Sequence, residues 1–110
     1  MTEAALELNQ IIRGSEEYHR YQQAVKAVKE ETELYQAMNT FRRRNYELQS
    51  RDDGVNRYHE IHNLSVEFEH ILSNPLVNEF LVAEQILSRK LQQIYEVIAD
   101  GLELDYDYME

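Results

Sequence analysis

The chain contains no cysteine. Disulfides, a thiolate nucleophile and any cysteine-held zinc or iron–sulfur cluster are excluded with it. Proline occurs once and glycine three times in 110 residues, so few positions favour a sharp turn. Val and Ile do not alternate with polar residues over a strand's length, which leaves β-structure without support. No run approaches the ~20 apolar residues of a membrane span. The opening MTEAALELNQ is acidic and lacks the apolar core of a signal peptide. A cytoplasmic protein without direct membrane insertion is expected.

Basic charge is scarce as well. Eleven Lys and Arg face 21 Asp and Glu, a formal net charge of −10. Such a surface repels phosphate backbones and anionic lipid, so DNA is not an expected partner.

What is present is an ordinary globular balance, 43% hydrophobic and 29% charged, enough for one folded domain. Ala4, Ala5, Leu8, Ile11 and Ile12 form the stripe of a first helix, with Gly14 as its stop. Ser15 then caps a second, with Glu16 and Glu17 against its dipole and Tyr18, Tyr21, Val25 and Val28 inward. Thr32 is a candidate cap for a third helix carrying Leu34, Met38, Phe41 and Leu48. No glycine or proline forces a break before it, so one bent rod is equally compatible. The stretch SRDDGVN, residues 50–56, is the clearest loop. Tyr58, Ile61, Leu64, Phe68, Ile71 and Leu72 then recur at helical spacing.

Asn74 followed by Pro75 reads as a cap and a first-turn proline, so the single proline starts the last helix. Leu76, Phe80, Ala83, Leu87, Leu91, Ile94 and Ile98 make its central stripe. Val82, Ile86 and Val97 flank it on one side, and Val77, Leu81 and Tyr95 on the other. The apolar arc spans roughly 200°, against the ~100° a helix needs to sit on one core. A helix this apolar is either central in its own bundle or shared with a second chain, and sharing is the expectation adopted. Leu76, Val77, Phe80, Leu81, Glu84, Leu87, Leu91 and Ile98 are the candidate interface residues. Glu84 falls inside the arc and needs an arginine, a tyrosine hydroxyl or a backbone partner.

The expected fold is all-α, an antiparallel bundle of four to five helices with a long C-terminal helix, dimeric, occupying residues 1–101. Residues 102–110, LELDYDYME, form an acidic-aromatic tail. Leu102, Leu104, Tyr106 and Tyr108 alternate with other residues at period two, giving an extended segment one apolar edge. That edge either docks in a groove of this subunit or a neighbour, or belongs to a frayed terminus.

Chemistry has little footing. Glu16–His19 and Glu67–His70 have the Glu-x-x-His spacing of di-metal bundles, but they lie off the apolar stripes, where no bundle interior awaits them. His59 and His62 share a face at a spacing one short of the zinc-protease pattern, with His62 expected at the core edge. Arg42, Arg43 and Arg44 fan over different helix faces. Ion pairs with nearby glutamates are the expected use, with an RNA contact as the alternative. No catalytic residue, cofactor or metal is assigned, and an enzyme is not expected.

The segments IIRGSEEYHRYQQAV, FRRRNYELQ and NPLVNEFLVAEQILSRKLQQIYEVIADGLELD, in that order, resemble the YlbF/YmcA family of small bacterial helical proteins. The resemblance implies a self-associating helical bundle, a homodimer or higher oligomer, that regulates without catalysis. It also implies sister family proteins and the endoribonuclease RNase Y as partners, with mRNA processing, competence, sporulation and biofilm formation downstream. Family members that hold iron–sulfur clusters do so through cysteines, so that cofactor does not carry over to this chain.

Overall fold

Asn74 and Pro75 open the longest helix, and the rest of the chain is arranged around its first half. The Asn74 side chain accepts a hydrogen bond from the Leu76 N–H at 2.9 Å, and Pro75 occupies the first turn, where its missing N–H costs nothing. The computed structural model describes residues 1–51, 55–105 and 107–109. Its helices are α1 (Thr2–Arg13), α2 (Glu16–Lys29), α3 (Thr32–Ser50), α4 (Val55–Glu67), α5 (Glu69–Leu72) and α6 (Pro75–Ala99), with a 3₁₀ turn at Asp107–Met109. No strand occurs among the described residues, and the fold is all-α.

The core is the meeting of α2, α3 and the first half of α6. Ala24, Val28, Met38, Val77, Phe80 and Ala83 form one buried cluster, against which Tyr21, Leu34, Ile71, Leu76 and Leu81 pack. Leu64 and Leu87 are buried outside that cluster, Leu64 near Leu48 of α3. Each large side chain so enclosed contributes about 1.5–3 kcal/mol relative to exposure. Tyr21 and Phe80 meet at 5.7 Å between ring centroids, tying α2 to α6.

Several boundaries differ from the periodicity. Helices α2 and α3 are separate. A straight rod over residues 16–50 would run roughly 50 Å, longer than the chain's largest extent of 45 Å. Breaking at Glu30–Glu31 lets Val28 and Met38 reach the same face of α6. Thr32 is the first helical residue rather than the cap. Glu31 holds the cap position without a side-chain bond. The pattern from Tyr58 to Leu72 is divided at Phe68 (φ −101°, ψ 16°), whose ring packs on Phe41 at 5.6 Å. This division makes six α-helices among the described residues where four to five were expected. Gly14 is right-handed (φ −88°) and its N–H bonds Gln10 and Ile11 carbonyls, so its stop does not rely on a left-handed turn. Among the described residues, Gly101 is the one with positive φ, at 80°. Residues 52–54 of the SRDDGVN loop lie outside the described residues.

The shape is a plate. Its extents are 45 × 39 × 16 Å, the last about the thickness of two packed helix layers. The radius of gyration is 17.9 Å, against about 13 Å for a compact domain of this length. The chain exposes 8945 Å², where a compact monomer of its mass exposes roughly 6,400 Å².

Candidate interaction surface

The first half of α6 is held by two ion pairs from different helices. Arg20 of α2 grips Glu79 with both ends of its guanidinium, Nε to Oε2 at 2.8 Å and Nη2 to Oε1 at 2.7 Å. That hydrogen bonding holds the Glu79 carboxyl below its usual range against partial desolvation, with charge attraction adding to it. The same contact raises the Arg20 guanidinium. Arg42 of α3 bonds Glu84, donates to Asn39 Oδ1 at 3.1 Å and lies over the Phe80 ring at 4.7 Å. Glu84 therefore finds the arginine its place in the arc demanded, within its own chain.

The second half of α6 has no such cover. Helix α1 faces it without burying a single residue of its own. Between them lies a hollow of about 450 Å³ lined by Leu8, Ile12, Leu91, Ile94 and Ile98, with Asn9, Arg13 and Tyr95 also on its walls. A second hollow of about 340 Å³ adjoins it, sharing Leu8, Ile94 and Ile98 and adding Val97 and Lys90. Val97 is 76% exposed. Ile98 and Tyr95 are exposed beside it, so this half carries apolar surface of the kind that marks a contact site.

The sequence-derived interface residues divide between these halves. Val77 and Phe80 are buried in the chain's own core, while Leu87, 8% exposed, borders the open hollow. Leu76 and Leu81 pack against that core, and Glu84 is engaged by Arg42. Leu91 and Ile98 line the open hollow. In the tail, residues 102–105 have no regular structure, and Leu102 and Leu104 are exposed in this single chain. Tyr108 sits in the 3₁₀ turn, and Tyr106 lies outside the described residues.

Glu16, His19 and His70 are exposed, and Glu67 bonds Arg44 at 2.8 Å. Among the described residues no three His, Asp or Glu side chains converge. His62 is exposed rather than at the core edge, and so is His59. Of the arginine run, Arg42 and Arg44 are committed to Glu84 and Glu67, leaving Arg43 toward solvent. That division disfavours an RNA-binding patch. Sequence reasoning missed the Arg20–Glu79 pair, since 59 residues separate its members and neither breaks a pattern. It also missed α1 as the second wall of the hollow, although the Leu8–Ile12 stripe was visible.

A family model described as "Control of competence regulator ComK, YlbF/YmcA" matches residues 1–103, which takes in every helix described above. The chain belongs to the YlbF/YmcA family. Among its curated relatives, a UPF0342 protein of Caldicellulosiruptor bescii is 29% identical over 101 residues, covering 90% of this chain and 85% of the relative. A UPF0342 protein of Caldicellulosiruptor saccharolyticus is 28% identical over 102 residues, covering 91% and 85%. No solved structure matches. The family is a regulator family, and no helix among the described residues is long and apolar enough to cross a membrane.

Proposed function

We propose that this chain is a non-catalytic protein–protein interaction module of the cytoplasm that works as a homodimer or higher homo-oligomer. Its contact surface is α1 with the second half of α6. One observation carries this reading: that half is apolar and open, on a chain exposing roughly 2,500 Å² more than a compact monomer of its mass. A standard interface removes about 800 Å² from each partner, so the surplus accommodates even a large one.

As a regulator, the module acts on RNase Y-dependent mRNA processing, alone or with sister family proteins, and through it on competence and development. The family description supports the link to competence, and the family resemblance supports the RNase Y target. The shape of the chain supports the mode of action, since a plate with an apolar face offers contact area rather than a reaction chamber.

Two measurements test the reading. Sedimentation of the purified full-length chain across a concentration series should give a mass at least twice that of one chain. Monomer throughout overturns self-association. Capture of the tagged chain from native-host lysate should recover RNase Y or a sister protein in near-stoichiometric amount. Recovery of the chain alone overturns the RNase Y assignment.

A further inference from the structure

The α1/α6 hollow has a specific chemistry. Its floor is apolar, from Leu8, Ile12, Leu91 and Ile98; Arg13 is the charged side chain on its wall, and Lys90 is the one on the adjoining hollow. Neither cation has an ion-pair partner among the described residues. Both charges beside this apolar floor are positive, in a chain of net charge −10. They fit an occupant that alternates apolar and acidic side chains.

The chain carries such a segment. Residues 102–105, Leu-Glu-Leu-Asp, have no helix or turn structure, and an extended backbone there sends Leu102 and Leu104 to one side and Glu103 and Asp105 to the other. In the single chain Leu102 is 66% exposed and Leu104 69%. The hollow is open as well, although its α6 wall ends at Ile98, only four residues before Leu102. Both halves of a complementary pair are thus left unfilled within one molecule.

We infer that the hollow between α1 and α6 receives the 102–105 segment of a second copy. Leu102 and Leu104 seat on the apolar floor while Glu103 and Asp105 approach Arg13 and Lys90. The inference rests on the self-association proposed above and supplies its specificity: charge complementarity selects this acidic tail over other apolar segments. Exchange of tails between two copies is the symmetric form of the contact, each hollow filled by the other chain's tail.

The natural absence of cysteine gives a direct test. Full-length chains carrying N9C alone and L104C alone are mixed and oxidised, Asn9 being an exposed residue of α1 on the hollow's wall. A mixed disulfide dimer well above the yield from either chain alone is the expected result. In parallel, R13E/K90E should weaken self-association at least tenfold, and adding E103K/D105K to the same chain should restore it. That restoration separates lost complementarity from a failure to fold.

Three results overturn the inference. One is an intramolecular disulfide in the N9C/L104C double variant at dilutions where the chain is monomeric, with no mixed dimer, which assigns the hollow to the chain's own tail. Another is no cross-link in either format, with unchanged association of R13E/K90E. If the parent chain still sediments as an oligomer then, self-association stands and only the tail is dismissed. A parent that is monomeric at every concentration dismisses both.

Discussion

The two halves of α6 share one helix and one apolar pattern yet have opposite surroundings. From Val77 to Leu87, α2 and α3 cover it, Phe80 is 2% exposed, and both acidic residues in that stretch are matched by arginines. From Lys90 to Ala99, α1 faces it across an open hollow, and Tyr95, Val97 and Ile98 are exposed. Helical periodicity reports that a face is apolar. It does not report which molecule covers it.

The sharpest way to break the contrast is to empty the covered half. Phe80→Ala should destabilise the fold by about 3–5 kcal/mol, read by urea denaturation, since the ring is lost to Tyr21 and Arg42 together. A loss below 1 kcal/mol would mean that the first half of α6 is not the core. Next is Ile98→Glu in the open half. It should raise the dissociation constant of the oligomer at least tenfold, about 1.4 kcal/mol, while helicity measured by circular dichroism stays unchanged. Unchanged sedimentation would place the contact elsewhere. Leu81→Glu, on the flank packed near Arg42, sharpens the assignment: it should lower stability with a smaller effect on association than Ile98→Glu.

Smaller effects follow at the helix start. Asn74→Ala removes the side-chain cap of α6 and should cost about 1 kcal/mol in the same urea titration. No loss would mean that the packed first turn needs no cap. The smallest effect belongs to Glu79→Gln, because its pair with Arg20 is open to solvent. The folded carboxyl titrates below its unfolded value of about 4.3, so the stability it adds is present above that pH. That contribution is lost as pH falls through the lower folded value. The variant should therefore show a shallower decline of melting temperature in that acidic window and little change at neutral pH. An equally steep decline would assign the acid sensitivity to other carboxylates.

Much of this was legible in the residues. Ser15 caps α2 by accepting from the Tyr18 N–H at 3.2 Å, and Asn74–Pro75 opens α6, because these signals act over two or three residues of local backbone. The need of Glu84 for a cation was legible too, because a carboxylate in an apolar arc cannot stay unpaired. That Arg42 supplies it was not, since the two are 42 residues apart. The placement of Val77 and Phe80 in the chain's own core was hidden for the same reason. Residues a few positions apart on one stripe look alike until α2 and α3 are laid against only some of them.

The sequence by itself determined the helical class, the caps at Ser15 and Asn74, the start of α6, the acidic surface and the family, because each depends on composition, ordered motifs or contacts between near neighbours. Tertiary structure alone decided where α2 turns into α3 and where α4 breaks at Phe68. It alone paired Arg20 with Glu79 and left the second half of α6 open across from α1. Those outcomes depend on which long-range surfaces meet, and chain closure brings together side chains that no local period connects.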